Sequence, residues 1–521
     1  MEKETKGNHL IRVNYMEPNS KQEPYSYHTF LLAFYCPNGT LNPGGNWEES
    51  KLSNQGITST EEDFALDYAT MQYFTPEARN LLFNKEKSFS YSFDANDENS
   101  RYIIKRDNKE YSLNVTKVYA TMYGENVGVL AIALENRGHY DSELKEHLAV
   151  NEINEYGRRI NLPFLSSFPH SLVADSISLF GVTEDFKKTT EMLRSGEISA
   201  TKGYVMKPIR RLVAELMTAN AGEKLVISPV IDDRMFVCCL VRNQLIIEAL
   251  TAKGVDDYDH IYTDEKLSKS LYALGFIDAD GVTCHNRTQR EEILRRCVYA
   301  RWRDYSFDGT AGGTIDVITH HSFVRITNGS APDFIIKPFL TQYVYLAIGA
   351  LMQRAAILWL SNESTVLSEA HLRSYNAGKI TKEFAEDLRV LRKKYVYAQN
   401  NIFLHHLTVQ EQGAEEFDML KNELNIDESL DKLNQKVDGI YHFTEEYVER
   451  QENKLLNAIA YIGLPLALIN LFVDVLGLVI FSENGCWGSF AVAGSFISFV
   501  LFGIIFVVAF IALIKIKVSR K

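Results

Sequence analysis

Cysteine is scarce in this sequence, with 6 among 521 residues, and apart from the adjacent pair Cys238 and Cys239 they lie far from one another. So small and scattered a set excludes a disulfide framework and fits a reducing compartment. Cys284 and Cys297 lack the short paired spacings of a structural zinc site. We therefore expect ordinary thiols, and neither a disulfide-rich secreted domain nor a zinc module.

The chain also lacks an excess of basic residues: 55 Lys and Arg stand against 67 Asp and Glu, a formal net charge of −12. Binding to a nucleic acid backbone requires a basic surface, so we expect no direct nucleic acid binding. With 23% charged residues, the composition excludes a polytopic membrane protein. The polar N-terminal residues contain no apolar stretch after a basic start, so we expect no signal peptide.

Two uncharged stretches near the C-terminus, 455–473 and 484–514, set it apart from the rest of the chain. A helix needs about 20 apolar residues to cross the hydrocarbon core, and the pattern predicts two transmembrane helices, about 455–481 and about 489–514. Lys and Arg flank the pair on both outer sides, whereas the link between them has none. The positive-inside rule predicts a two-pass protein of the cell inner membrane with cytoplasmic N- and C-termini.

A third apolar stretch, 339–360, contains Gln342, Gln353 and Arg354. An arginine inside a membrane span is costly, because its charge has no water or counter-ion there. We therefore expect this stretch to form a buried helix in the part of the chain outside the membrane.

Composition divides the chain into three parts. Residues 1–335 predict a cytoplasmic α/β sensor domain, with strands at Tyr25–Cys36 and a hairpin of Val115–Tyr123 with Val127–Leu134. Residues 336–454 predict long funnel or stalk helices, and 455–521 predict the transmembrane hairpin with a basic cytoplasmic tail. The expected fold class is an α+β cytoplasmic domain followed by long stalk helices and a C-terminal two-helix hairpin.

Two heptad seams, which alternate steps of four and three residues, predict the stalk helices. The first seam consists of Phe384, Leu388, Leu391, Tyr395, Ala398, Ile402, His405 and Val409. A break is expected near Asn425, and the second seam begins at Leu430. Because only one glycine and no proline interrupt Glu428–Ile462, we expect one helix to run from Glu428 to Phe481, directly into the membrane.

The same spacing, continued from Asn453, places polar and small residues in one stripe on the first membrane helix. Polar groups in such helices face protein or water, so the stripe predicts a pore wall. Leu464 would form an apolar constriction, and Asp474 and Glu483 acidic rings that favour cations. The predicted pore-lining residues are Asn453, Asn457, Ala460, Leu464, Ala467, Asn470, Asp474 and Glu483. The alternative is that Asp474 caps the helix or pairs with a nearby group at the membrane interface, and that the helix conducts no ions.

The segment Asn453–Asn470, NKLLNAIAYIGLPLALIN, with its short outer loop, second helix and basic tail, resembles the CorA family of magnesium channels. The resemblance covers roughly 428–521. It implies a homopentamer whose first membrane helix lines the pore and whose cytoplasmic funnel controls opening. Asp474, Val475 and Leu476 replace the family's Gly-Met-Asn signature, and magnesium recognition depends on such polar geometry.

Four shorter stretches resemble the CorA-like membrane effectors of type III CRISPR systems. They are Tyr27–Leu31, Asp232–Phe236, Arg301–Tyr305 and Leu340–Tyr343. This resemblance implies an antiviral channel that is opened by a nucleotide second messenger, S-adenosylmethionine–AMP, and disrupts the membrane of infected cells. The alternatives are a magnesium transporter of the CorA family and a membrane-anchored binding protein without conduction. No nucleophile–base arrangement indicates an enzyme.

A binding site for S-adenosylmethionine–AMP needs a cation for the phosphate, aromatic faces for the adenine and an acid for the amino group. Arg301–Tyr305 supplies all three at the end of a predicted basic helix, Arg290–Arg303, and the glycine turn that follows can cradle a phosphate. The predicted ligand-binding residues are Arg301, Trp302, Arg303, Asp304, Tyr305, Gly312 and Gly313. The alternative is a helix end with ordinary ion pairs. We predict no covalent cofactor. Mg²⁺ is a candidate ion, but the sequence indicates no ligands for it.

Overall fold

The structure, a computed structural model, describes residues 24–137, 143–162, 173–197, 204–242, 247, 259–279, 281–307, 310–311, 313–329, 331–375 and 382–481. The chain divides into two compact units. One consists of Met1–Ala370 with Asp387–Lys436, and the other of His371–Glu386 with Val437–Lys521. The predicted second membrane helix and the loop before it lie outside the described residues.

The strands belong to the first unit. They are β1 Ser26–Tyr35, β2 Gly39–Leu41, β3 Trp47–Glu49, β4 Leu52–Ser53, β5 Gly56–Ile57, β6 Ser88–Tyr91, β7 Arg101–Arg106, β8 Lys109–Tyr123, β9 Val127–Asn136, β10 Ser176–Leu179, β11 Val182–Asp185, β12 Met217–Ala219, β13 Ser228–Pro229, β14 Phe236–Arg242, β15 Val298–Tyr299, β16 Ser306–Phe307, β17 Thr310–Ala311, β18 Ile315–Ile318 and β19 Ser322–Thr327.

The helices lie between these strands and after them. They are α1 Glu61–Tyr73, α2 Pro76–Leu82, α3 Glu143–Gly157, α4 Phe186–Ser195, α5 Lys207–Leu216, α6 His260–Thr263, α7 Glu265–Phe276, α8 Arg287–Cys297, α9 Asp333–Pro338, α10 Val344–Tyr375, α11 Lys382–Asn401, α12 Glu411–Glu423 and α13 Ile426–Phe481, with a 3₁₀ turn at Glu98–Ser100 and a π-helix at Phe339–Tyr343.

One large mixed sheet organises the first unit. Its main path runs β11-β10-β7-β8-β9-β1-β14-β19-β18-β15. The pair β14 and β19 is parallel, with Val237 opposite Ser322, and the neighbouring pairs along the path are antiparallel. Parallel neighbours need a long crossover, which here spans residues 243–321 and includes α7 and α8.

The predicted strands of the N-terminal part are confirmed. β1 occupies the predicted Tyr25–Cys36 stretch, and β8 and β9 form the predicted hairpin around Gly124, whose φ is +58°. β1 lies between β9 and β14 in the sheet and is buried along most of its length. Its continuous apolar and aromatic run therefore suits a central strand, which is covered on both faces.

The apolar stretch around 339–360 forms a buried helix, as predicted. Among the described residues, one helix is long and apolar enough to cross a membrane, Asp333–Ala370, with a mean hydropathy of 1.4 over a window that is 83% buried. Its polar residues have partners within the first unit: Gln353 donates to the carbonyl oxygen of Leu404 at 3.0 Å, and Arg354 to that of Leu424 at 2.7 Å. Protein therefore covers this helix.

The first predicted seam is only partly helical. Its positions from Phe384 to Ala398 are buried on α11, but the helix ends at Asn401. His405 and Val409 are exposed and lie beyond the helix, so their assignment to the seam was wrong. The helix ends because the N–H of Phe403 bonds back to Ala398, and a separate helix, α12, follows.

The second predicted stalk helix is confirmed as one continuous α-helix. α13 extends over 56 residues from Ile426 to Phe481 and passes through Gly439 and Pro465 without ending. Asn425, immediately before it, has a φ of +53° and marks the expected break. At about 1.5 Å per residue, a helix of this length spans about 80 Å.

Candidate functional site

The predicted ligand-binding residues Arg301–Tyr305 form a turn rather than the end of a helix. The expected basic helix over Arg290–Arg303 was wrong at its C-terminal end, because α8 stops at Cys297. The next residues enter the sheet as β15, where Val298 pairs with Val317 and Tyr299 with Asp316. The turn that follows is closed by the N–H of Tyr305, which donates to the carbonyl oxygen of Trp302 at 3.2 Å.

Arg301 is held by two carboxylates of α12. Its guanidinium donates to Glu411 at 2.7 Å and to Glu415 at 2.9 Å. These hydrogen bonds raise the pKa of Arg301, while a hydrogen bond from the Tyr299 hydroxyl lowers the pKa of Glu415. A phosphate group that approached Arg301 would compete with both glutamates. The sequence did not indicate this pairing, because α12 lies more than a hundred positions away.

The other predicted residues of the turn also contact protein. The indole N–H of Trp302 donates to Gln412 at 2.7 Å, while its ring stays 44% exposed and meets Tyr305 edge to face. Arg303 donates to both carboxylate oxygens of Asp304, at 2.9 and 3.0 Å. The structure thus brings all five residues to one surface turn, with the Trp302 ring as its most accessible aromatic face.

Gly313 lies directly against this turn. A Cβ atom at this position would be 1.8 Å from the carbonyl oxygen of Arg303, and the N–H of Thr314 donates to the carbonyl oxygen of Trp302 at 3.2 Å. Close packing of two backbones therefore explains why glycine is needed here. Gly312 lies outside the described residues, so the predicted phosphate cradle stays a prediction.

A buried charged network lies behind the turn and was not predicted. Arg325 on β19 donates to both oxygens of Asp316 on β18, at 2.6 and 2.7 Å, and to Glu416 on α12 at 3.1 Å. Burial raises the pKa of Glu416, and Asp316 adds to this effect. The three side chains are almost fully buried. The signal available in the sequence was a charge within each of two apolar strands.

Hydrogen bonds connect the surface turn to this buried network. Gln412 accepts the Trp302 indole N–H and donates its own amide N–H to Glu416 at 3.1 Å. Glu416 in turn contacts Arg325. A change at the exposed Trp302 ring would therefore reach a buried ion pair through two side chains of α12.

A second buried polar group joins a hydroxyl, an imidazole and an amide. Ser26 contacts His28 Nε2 at 2.9 Å, His28 Nδ1 contacts Asn154 at 2.6 Å, and the Cys239 thiol lies 3.6 Å from the same Nδ1. Burial lowers the pKa of His28 to about 4. All four residues are buried, with Ser26, His28 and Cys239 on strands of the sheet and Asn154 on α3, so the group joins α3 to the sheet.

A cavity of about 180 Å³ opens elsewhere in the first unit. Its lining includes Tyr123 and Tyr397, whose rings stack at 5.6 Å, together with Asn80 and Asn400. None of the predicted ligand residues contributes to it. The cavity is therefore a second place, besides the Arg301 turn, where a ligand with an aromatic ring would find stacking and amide groups.

The predicted pore residues lie on α13 or beyond it. Asn453, Asn457, Ala460, Ala467 and Asn470 are exposed on the helix. Leu464 and Asp474 belong to the helix, but their side chains lie outside the described residues, as does the whole of Glu483. In the described part of the chain, no group of three His, Cys, Asp or Glu side chains is placed to hold a metal ion.

No protein-family model, curated protein or solved structure matches this chain.

Proposed function

We propose that the chain is the subunit of a CorA-like homopentameric channel in the cell inner membrane. In this proposal it acts as an antiviral effector of a type III CRISPR system and opens when the nucleotide second messenger S-adenosylmethionine–AMP binds its cytoplasmic part. Both termini are cytoplasmic, and the hairpin formed by the end of α13 and the following apolar stretch crosses the lipid bilayer.

The observation that carries the proposal is an uncovered apolar helix. Between Leu456 and Leu466, α13 leaves large apolar side chains exposed: Leu456 61%, Ile459 57%, Tyr461 83%, Ile462 40% and Leu466 41%. Burying one such side chain is worth about 1.5–3 kcal/mol, so water is an unfavourable surrounding for this segment. Lipid and further copies of the same helix are the apolar surroundings that a hairpin pore supplies.

The exposed residues have different characters on different sides of the helix. At 100° per residue, Ile459, Ile462 and Leu466 fall on one side and Asn457 and Ala460 on the other, where the exposed Tyr461 and Leu456 flank them. In the proposed channel, the Ile459 side of the helix faces lipid and the Asn457 side faces the pore. An anchor without a pore is compatible with the same pattern, and ion flux decides between the two.

The turn at Arg301 supports a ligand-dependent step. An adenine ring can stack on the exposed Trp302, and a phosphate can replace Glu411 and Glu415 around Arg301. Loss of these pairs would remove two contacts of α12, the helix that also carries Gln412 and Glu416. Ligand binding would thereby change the contacts of a helix that lies directly before α13 in the chain.

Flux through liposomes tests the proposal. The full chain is reconstituted, and cation release is measured with and without S-adenosylmethionine–AMP. We expect release only with the ligand, and loss of the response in Arg301→Met but not in Arg295→Met, a matched change of an arginine in an exposed pair with Asp259. Absence of flux under every condition, or magnesium flux that needs no nucleotide, would overturn the proposal.

A further variant separates the two possible ligand positions. Tyr397→Ala removes a stacking ring from the cavity and leaves the Arg301 turn intact. Ligand-dependent flux that survives Tyr397→Ala supports the turn as the ligand site. If Tyr397→Ala abolishes it while Arg301→Met does not, the ligand binds in the cavity, and the assignment to the turn is wrong.

A further inference from the structure

Five charged residues form a continuous ladder in the first unit. Arg158 donates to Glu155 at 2.5 Å, Glu155 and Asp233 both contact Arg159, and Asp233 accepts from Arg234 at 3.0 Å. The order along this arginine ladder is thus cation, anion, cation, anion, cation. Four of the side chains are at most 6% exposed, and Arg234 is 28% exposed.

The fold places the ladder at the beginning of the two parallel strands. The carbonyl oxygen of Arg158 accepts from Met235 N at 2.8 Å, directly before β14. The carbonyl oxygen of His321, directly before β19, accepts from Val237 N at 3.0 Å. Arg158 and His321 thus flank the start of β14.

The hydrogen-bonding capacity of the ladder is not used up. Among the described residues, no hydrogen-bond partner is found for four buried nitrogen atoms: Arg158 Nε and Nη1, Arg159 Nε and His321 Nδ1. A buried donor without a partner destabilises the folded state, and such groups are uncommon in folded proteins. Several in one place indicate that a hydrogen-bond acceptor belongs there.

The charges of the ladder are also unbalanced. Three guanidinium groups face two carboxylates, which leaves one positive charge in a largely buried location. Outside the ladder, Asp278 adds a negative charge to the field of Arg158, and its carboxylate also accepts from the N–H and hydroxyl of Thr283, both at 2.8 Å. Burial, followed by the charges of Arg158 and Arg234, lowers the pKa of His321 to about 3, as expected beside excess positive charge.

We propose that the arginine ladder binds an oxyanion, a phosphate or carboxylate group, between Arg158 and His321. The anion accepts the unused N–H groups of Arg158 and, in the Nδ1–H tautomer, that of His321, and it compensates the surplus charge of the ladder. Arg234, His320 and His321 are partly exposed, whereas the Arg158 side chain is 2% exposed. This site shares no residue with the Arg301 turn, so the proposal stands or falls independently of the channel.

Thermal unfolding of the full chain in detergent tests the site. Inorganic phosphate, sulfate and acetate are added at constant ionic strength, with chloride as reference. We expect one of these oxyanions to raise the melting temperature in a saturable way. Stronger stabilisation by phosphate or sulfate identifies a phosphoryl-type ligand, and stronger stabilisation by acetate a carboxylate. An equal response to chloride and to every oxyanion would overturn the proposal.

Two variants assign the effect to the ladder. Arg158→Met removes the unpartnered donors and should weaken oxyanion binding at least tenfold. Arg290→Met is the matched control, since Arg290 is equally buried but donates to the carbonyl oxygen of Cys284 at 2.9 Å, outside the ladder. If Arg158→Met does not fold, Arg234→Gln at the accessible end must weaken binding instead. An oxyanion response unchanged in the folded ladder variant contradicts the site.

Discussion

The guanidinium carbon of Arg325 lies 4.2 Å from the centre of the Tyr343 ring, inside the first unit. The same guanidinium is paired with Asp316 and contacts Glu416. A buried arginine is tolerated here because charge, hydrogen bonds and an aromatic face satisfy it together. The arrangement joins β18, β19, α12 and the π-helix at one point.

Removal of one partner from this buried pair should destabilise the protein strongly. Asp316→Asn leaves the Arg325 charge without its main partner, and we expect the free energy of unfolding to fall by about 3 kcal/mol or more. Asp333→Asn is the control, because its pair with Lys337 is exposed; we expect a change within about 0.5 kcal/mol. Urea unfolding in detergent measures both, and equal losses in the two variants would contradict the argument.

Acid should destabilise the protein through His28. Its pKa is lowered to about 4 by burial, against 6.5 for an ordinary histidine. Between these two pKa values, the unfolded chain binds a proton at this position and the folded chain does not. The contribution of neutral His28 to the free energy of unfolding is therefore complete above pH 6.5 and declines as the pH falls toward 4. Between pH 7 and pH 5 the loss amounts to about 2 kcal/mol.

His28→Gln tests this origin of the pH dependence. The variant should lose less stability than the wild type on going from pH 7 to pH 5, by about 2 kcal/mol. His285→Gln changes an exposed histidine and should keep the wild-type profile. His321, whose pKa is also lowered, leaves a residual acid dependence in both variants. Parallel profiles for wild type and His28→Gln would refute the assignment.

Replacement of Gly313 should disturb the turn at Arg301. In Gly313→Ala the new methyl group would overlap the carbonyl oxygen of Arg303, which is backbone and cannot rotate away. We expect a loss of about 1–3 kcal/mol in the free energy of unfolding. Gly439→Ala, with open space around its Cβ position, should instead stabilise the helix by about 0.5–1 kcal/mol. Calorimetry distinguishes the two, and a fully stable Gly313→Ala would disprove the close approach.

The two glutamates beside Arg301 should compete with the ligand. If a phosphate binds Arg301, the double variant Glu411→Gln with Glu415→Gln should bind S-adenosylmethionine–AMP several-fold more tightly, and Arg301→Met at least tenfold more weakly. Stability should change by less than about 1 kcal/mol, since these pairs are largely exposed. Titration calorimetry measures the affinities, and an unchanged affinity in all variants would exclude the turn as the site.

Asp474 should influence ion selectivity if it faces a pore. Asp474→Asn removes one negative charge from each subunit, so we expect lower cation-over-anion selectivity in reversal-potential measurements on reconstituted channels. Asp431→Asn changes an exposed acid near the start of α13 and serves as the control. An Asp474→Asn channel with wild-type selectivity would place this carboxylate away from the pore.

Local pattern was sufficient to predict several regular elements of this protein. The apolar run of β1, the β8–β9 hairpin, the buried helix α10 and the uninterrupted α13 all follow from periodicity, turn residues and the absence of helix breakers between near neighbours. The first heptad seam shows the limit of such reasoning. Its spacing continued past Asn401, but the helix ends there because the N–H of Phe403 bonds to the carbonyl oxygen of Ala398, five positions back.

Tertiary structure decided which charges distant in the sequence meet. Arg301 pairs with Glu415, 114 positions away, and Arg159 with Asp233, 74 positions away. The sequence around Arg301 or Arg159 does not indicate the partner, because such an ion pair depends on where the fold places the two side chains. The sequence by itself determined that cationic and aromatic residues are neighbours at 301–305. Only the fold decided that Arg301 is paired with two glutamates and that N–H groups of Arg158 are left without a partner among the described residues.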